Sequence, residues 1–165
     1  MTELTEAMGI TRPSLYAAFG NKEALFHKAL DLYERDKMAF VGDALQAPTA
    51  RGVAERMLRG GLELVTNPAD PKGCLGVIST VACGGEAESI KADVLARQAS
   101  SAAAMLQRFE RARAEGDLPE HIDPAGLQRY LSAVLQGMSV QGGAGATRAE
   151  LERLVETALE LWPSR

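Results

Sequence analysis

Apolar positions recur at three- and four-residue spacings along most of the chain, the period of helices buried on one side. The spacing predicts two short helices over 2–8 and 12–19, with Leu4, Met8, Ile10 and Leu15 facing one another across the turn. Gly9 stands where the first must stop, since glycine takes the left-handed conformation of a helix end at little steric cost. Thr11 is an N-cap for the second, and Pro13 falls in its first turn, where a missing N–H does no harm. Asn21 caps a long helix expected to run to about residue 44, with Leu25, Ala29, Leu32 or Tyr33, and Phe40 along one stripe. Asp31 and Arg35 stand one turn apart on its outer face. Ala47-Pro48 breaks the pattern.

Thr49 caps the next helix, whose inward face is Ala54, Met57 or Leu58, Gly61 or Leu62, and Val65. Each residue of Gly60-Gly61 costs about 1 kcal/mol of helix stability relative to alanine. A close helix crossing accounts for the pair, and room for a ligand is the other reading. Residues 67–73 are a loop by composition. Residues 74–83 contain β-branched side chains that permit a strand, but a lone strand has no partner, so a fully buried helix ended by Gly84-Gly85 is expected. A long amphipathic helix follows over 86–115, with Ile90, Val94, Ala102, Met105, Phe109 and Ala112 on one side and Gly116 as its stop. Asp123 caps another helix with Pro124 in first position and Leu127, Leu131, Val134 or Leu135, and Met138 as its apolar positions. Residues 142–146 read as a flexible connection. Thr147 and Glu150 form a capping box opening a last helix with Leu151, Leu154, Val155, Ala158, Leu159 and Trp162 on a wide apolar face. The fold class is therefore all-α, without an internal repeat.

Composition narrows the class of partner. The chain has 165 residues, 46% hydrophobic and 24% charged, which suits one helical unit or a small domain joined to a larger one. A net charge of −4 and a pI near 5.3 exclude a protein coated in basic residues, so any nucleic-acid contact must come from a local patch. Over residues 11–28 three cations (Arg12, Lys22, Lys28) oppose one acid, whereas over 1–37 five cations oppose six acids. Cys74 and Cys83 are too far apart for a Cys-x-x-Cys motif and have no neighbouring histidine, so no metal site is expected. No signal-peptide pattern is visible, and no uncharged apolar run approaches the roughly 20 residues a membrane span needs. A cytoplasmic protein with reduced thiols and no membrane partner is expected. His27 and His121 neighbour no nucleophile, and no triad or glycine-rich phosphate cradle emerges, so neither catalytic residues nor a cofactor are expected.

The first 25 residues say more. Two short helices joined at Gly9 have the outline of a helix-turn-helix, whose second helix enters the major groove of DNA. Gly9-Ile10-Thr11, Leu15-Tyr16, Phe19 and Asn21-Lys22-Glu23-Ala24-Leu25 together resemble the signature of the TetR family of transcriptional regulators. The likeness in motifs covers residues 2–30 and is architectural beyond. It implies a helix-turn-helix and bridging helix over 1–45, and an antiparallel helical bundle for effector binding and dimerisation over 46–165. Members usually place a further helix ahead of this motif, whereas this sequence opens on the first motif helix. Without such cover, Leu4, Leu15, Phe19 and Phe26 would each forgo about 1.5–3 kcal/mol of burial, predicting a frayed DNA-reading end. Thr5 stands where a small alanine is usual, and its hydroxyl can bond back along the helix.

Carried over to this chain, the resemblance makes Arg12 and Ser14 candidates for base edges and Ala17, with Ala18, for thymine methyl contact. Thr2, Thr11, Tyr16 and Lys22 are the candidates for the helix start and the phosphate backbone of a double-stranded operator. Met57, Leu58, Cys74, Met105 and Phe109 are candidates for an effector site, where methionine adapts to varied small molecules and equally fills ordinary cores. Cys74 follows Lys72 and opens a helix, which lowers a thiol pKa, although cysteine more often acts as a small buried hydrophobe. Leu127, Leu131, Leu135, Leu154, Leu161 and Trp162 are candidates for pairing with a second copy as a homodimer. The expected function is a repressor released from its operator by a small-molecule effector. The alternative is a dimeric helical ligand-binding or interaction protein that does not bind DNA.

Overall fold

The computed structural model describes residues 2–82 and 88–163, and the side chains of all of these except 80–82. Nine helices lie among them: α1 Thr2–Met8, α2 Arg12–Phe19, α3 Lys22–Lys37, α4 Ala39–Leu45, α5 Ala50–Thr66, α6 Leu75–Ala82, α7 Glu88–Ala114, α8 Pro124–Gly143 and α9 Arg148–Glu160. The all-α class holds. Cys83, Gly84-Gly85 and Glu86, read as one helix end and the next beginning, lie outside the described residues.

The helix starts follow local chemistry. Each of Thr11, Asn21, Thr49, Asp123 and Thr147 takes an extended conformation and accepts from a backbone N–H of the first turn that has no partner inside the helix. Thr147 and Glu150 close the expected capping box, the Thr147 N–H donating to Glu150 Oε2 at 2.8 Å. Gly116 ends α7 at φ +79°, and the Asp117 N–H then donates to Ala112 O at 2.9 Å. The Asp117 carboxylate also accepts from the Ala50 N–H, capping α5 from 67 residues away.

α5 is the central helix, buried along Ala50, Val53, Ala54, Met57, Leu58, Gly61, Leu62 and Val65. It packs against α4, α8 and α9, while α7 lies along α8 and α6. Phe109 of α7 meets Trp162, beyond α9, with ring centroids 5.7 Å apart, and both belong to the same core. Each large side chain buried this way contributes about 1.5–3 kcal/mol, which makes this core the stable body of the molecule.

Four expectations need correction. The helix from Asn21 does not run unbroken to residue 44: at Met38 (φ −103°, ψ 7°) the N–H reaches back to both Tyr33 and Glu34, and α4 leaves in a new direction. No proline or glycine marks the spot; the turn is set by packing, since α4 brings Phe40 onto Gly60 and buries Ala44 against α5. On α3 the buried side chain is Leu30, and Leu32 is half exposed. Residues 75–82 are helical but not fully buried, because α6 lies over the body and turns Ile78 outward. The supposed connection at 142–146 begins inside α8, where Gly142 is buried: a Cβ there would stand 3.2 Å from Val65, so glycine lets α8 close on α5. The chain turns at Gly145 instead, at φ +99°.

Gly60-Gly61 serves the close crossing, not a ligand space. A Cβ on Gly61 would come within 2.8 Å of the Met138 methyl and 3.0 Å of Leu135, and one on Gly60 would strike the Phe40 ring.

Candidate nucleic-acid interface

α1 and α2 meet through small contacts. Gly9 takes φ +64°, its N–H donates to Glu6 O, and the Ile10 N–H donates to Thr5 O, both at 3.1 Å. These bonds satisfy carbonyls left open at the end of α1. Thr5 is buried, and its hydroxyl donates to Thr2 O at 2.9 Å, the bond expected along its own helix. Leu15 is fully buried beneath α2, and Phe19 and Phe26 are half-buried. The expected apolar cluster across the turn is otherwise not formed: Leu4, Met8 and Ile10 are 40%, 42% and 36% exposed. Of the residues of α1 and α2 only Thr5 and Leu15 are buried.

The outer side of this unit carries polar groups. Thr2, Thr11, Arg12, Ser14, Tyr16, Ala17, Ala18 and Lys22 are all exposed, so every residue assigned to DNA stands at the surface. Arg12 and Thr2 are brought together, the guanidinium donating to the Thr2 hydroxyl. The Ser14 hydroxyl lies 2.9 Å from that of Thr11, and the Thr11 oxygen also accepts from the Ser14 N–H. The Lys28 ammonium sits 5.4 Å from the Phe19 ring centroid, holding the end of α2 to α3. Arginine, hydroxyls and methyls on one short exposed helix can meet base edges, and a lysine beside it can meet phosphate.

How this unit is carried depends on α3. α1 packs chiefly on α2 and α2 on α3, which in turn packs on α4, α6 and α7. The α3–α7 joint is polar. Arg97 of α7 reaches Asp31 Oδ1 at 2.7 Å, Glu34 Oε2 at 2.7 Å and Asp93 at 3.1 Å. Hydrogen bonding to these three carboxylates raises the Arg97 pKa further above its ordinary value. His27 Nδ1 donates to Asp93 Oδ2 at 2.8 Å. Arg97 above all, and His27 after it, hold the Asp93 carboxyl below the usual carboxylate range. Asp31 was expected to face Arg35; it turns to Arg97, and Arg35 binds Asp36 at 2.7 Å. None of this was read from the sequence, where Asp93 and Arg97 look like an ordinary surface pair. Further along α3, the half-buried Tyr33 lies beside Cys74 and the Leu75 backbone; withdrawal of its hydroxyl from solvent foremost pushes its phenol up.

The effector candidates do not gather around an open space. Met57, Leu58, Met105 and Phe109 sit in the closed core, and Cys74 is buried. A cavity of about 630 Å³ lies instead between α4 and α5, lined by residues including Phe40, Asp43, Ala47, Glu55, Arg56 and Arg59. The sequence carries no sign of it, because the apolar spacing of residues 39–45 continues that of α3 with no breaking residue at Met38. Arg108, also missed, is buried behind Ala47 and donates to its carbonyl at 2.8 Å; its Nε and Nη1 have no hydrogen-bond partner among the described residues.

The candidates for pairing divide. Leu127, Leu131 and Trp162 are buried in their own protomer, because α8 and α9 turn their most apolar stripe onto α5; this removes them from any outward face. Leu135 and Leu154 are half-buried, and Leu161 is 72% exposed. Tyr130 and Val140 are further exposed apolar residues on α8. Among the described residues no group of histidine, cysteine, aspartate or glutamate is arranged to hold a metal, and no helix is long and apolar enough to cross a membrane.

Comparison with known proteins gives this geometry a context. No protein-family model matches the chain. Among curated proteins it is 29% identical over 166 residues to the HTH-type transcriptional repressor ComR of Escherichia coli (strain K12), covering 99% of this chain and 79% of that protein. It is 28% identical over 169 residues to YezE of Bacillus subtilis (strain 168), an HTH-type transcriptional regulator, covering 98% of this chain and 84% of that one. Among solved structures it is similar to a cysteine mutant of the TetR family transcriptional regulator CifR complexed with 26-bp double-strand operator DNA. That match has a TM-score of 0.90 and 37% identity, over 99% of this chain and 86% of that one. The turn at Gly9, the exposed face of α2 and the helical body behind α3 therefore have a solved counterpart along nearly their whole length, and the chain belongs to the TetR family of transcriptional regulators.

Proposed function

We propose that this regulator works as a homodimeric repressor that reads double-stranded operator DNA with α2 and is released by a small molecule. The observation that carries the reading is the surface of α2: Leu15 is its one buried residue and Phe19 is half-buried, while Arg12, Ser14, Tyr16 and Ala17 face outward beside Lys22. The similarity to a protein solved on operator DNA, and to one described as a repressor, supports it. Dimerisation supplies two copies of α2, which must reach grooves about 34–36 Å apart. Tyr130, Val140 and Leu161, which are exposed, and Leu135 and Leu154, which are half-buried, are the apolar residues of this end left for contact with a second copy. An effector that favours the conformation with the wrong separation lowers operator affinity by its differential affinity for the two states.

A specific observation favours a second reading. Leu4, Met8 and Ile10 leave apolar surface open on α1 and the turn, and residues 1–37 carry more acids than bases. A helical interaction protein that docks a protein through α1, without reading DNA, has the same features. Fluorescence anisotropy of the full chain with DNA from its own upstream region, and with random DNA of equal length, separates the two. Operator reading predicts affinity for the upstream DNA at least about 10³-fold above the random duplex, with both falling as salt rises. Equal affinity for the two duplexes would overturn it.

A further inference from the structure

The DNA-reading unit is attached to the body through α3, and α3 has little apolar anchorage. Leu30 is its one buried residue, at 2% exposure, with Tyr33 half-buried beyond it. Leu30, with the half-buried Leu25, Phe26 and Tyr33, holds α3 along its apolar side only. Direction needs a second fixed point, and Arg97 supplies it. Its Nη2 meets Asp31 and its Nη1 meets Glu34, three residues apart on one face of α3, about 4.5 Å along the axis. Its Nε meets Asp93 on α7 itself, and His27 from α3 donates to the same Asp93. The planar guanidinium is thus held by three carboxylates at once, two on α3 and one on α7. Lys37 adds a tie from the end of α3 to Asp70, between 2.6 and 2.7 Å, but with a rotatable ammonium that sets no direction.

We infer that Arg97 is the positioning residue that sets the direction of α3, and through it the separation of the two recognition helices in the dimer. It touches no DNA; it acts through Asp31 and Glu34. The inference rests on the operator-reading function proposed above. Each ion pair is partly in water and individually weak, so the joint is a device of direction more than of stability. Lysine in its place offers one compact charge where the fork meets three carboxylates, and does not reproduce it.

The test compares full-length wild-type protein with Arg97→Gln and with the double variant Asp31→Asn/Glu34→Gln. Each is titrated against duplexes carrying the operator with its half-sites at native separation or moved apart by about two base pairs. Wild type is expected to prefer the native separation by about tenfold or more, and both variants by about threefold or less, with a melting temperature within a few degrees of wild type. Arg97→Lys should fall between. If Arg97→Gln loses its helical body, the double variant, which leaves α7 intact, carries the comparison. A wild-type chain that binds no operator sinks the functional reading itself. A wild type that discriminates separation, beside folded variants that discriminate equally well, overturns the role of Arg97 alone.

Discussion

The Phe40 ring of α4 lies so close to Gly60 of α5 that a Cβ on the glycine would stand 2.2 Å from Cδ2 and 2.6 Å from Cγ. Those atoms sit near the ring's attachment, so the whole side chain would have to move. Gly60→Ala gains about 1 kcal/mol of helix propensity. It loses more to overpacking, for which about 1–3 kcal/mol is usual, occasionally more. A net destabilisation of about 1–2 kcal/mol in urea unfolding is expected. In a Phe40→Ala background the same change should turn neutral or stabilising; an equal loss in both backgrounds would contradict the contact.

Arg108 leads to an opposite kind of substitution. It is 5% exposed, and one bond to the Ala47 carbonyl is its only hydrogen bond among the described residues. A buried charge so thinly compensated adds little to stability, and apolar replacement of similar length is often neutral or favourable. Arg108→Met should leave the unfolding free energy within about 1 kcal/mol or raise it. Arg108→Ala should cost about 2–4 kcal/mol through the cavity it opens. Equal losses for Met and Ala would mean that the bond to Ala47 carries the site.

The roles proposed for Arg12, at a base, and Lys22, at a phosphate, separate by measurement. Arg12→Ala should cost about 1–3 kcal/mol on the operator and little on random DNA, flattening sequence preference. Lys22→Ala should weaken both alike and reduce the slope of log affinity against log salt by about 1. Anisotropy titrations at several salt concentrations distinguish the two, and uniform losses for both mutants would refute the assignment of Arg12 to a base.

The α3–α7 joint should respond to acid. Asp93 is held below its unfolded pKa, chiefly by Arg97 and then by His27. A depressed carboxylate contributes fully above the unfolded value of about 4 and is lost as pH falls through the folded value. Native protein and Asp93→Asn should therefore differ in melting temperature near neutrality, and the gap should close only as pH falls from about 4 through the lower folded value. A gap that persists in strong acid would show that Asp93 acts by shape and not by charge.

Legibility followed the range of the forces. The caps at Thr11, Asn21, Thr49, Asp123 and Thr147 and the stop at Gly116 were readable because each joins atoms within a few residues. The recognition helix was readable for the same reason, with its turn residues and exposed face in one short stretch. The bend at Met38 was not, because its cause is Gly60, more than 20 residues away. Leu30 and Leu32 have equal claims to the inside of α3 until α6 and α7 are in place. Arg97 and Arg108 differ in nothing that composition records, yet one binds three carboxylates at the surface and the other is sealed behind Ala47.

Arg12 is already engaged in the free chain, its guanidinium resting on the Thr2 hydroxyl at the start of α1. A long side chain otherwise samples many rotamers, and docking it from that freedom carries an entropic toll of about 1.5–2 kcal/mol. A bond to an exposed hydroxyl narrows that search in the free state, and an incoming acceptor has only a neutral group to displace. In the role proposed for Arg12, docking on DNA is then an exchange of one acceptor for another.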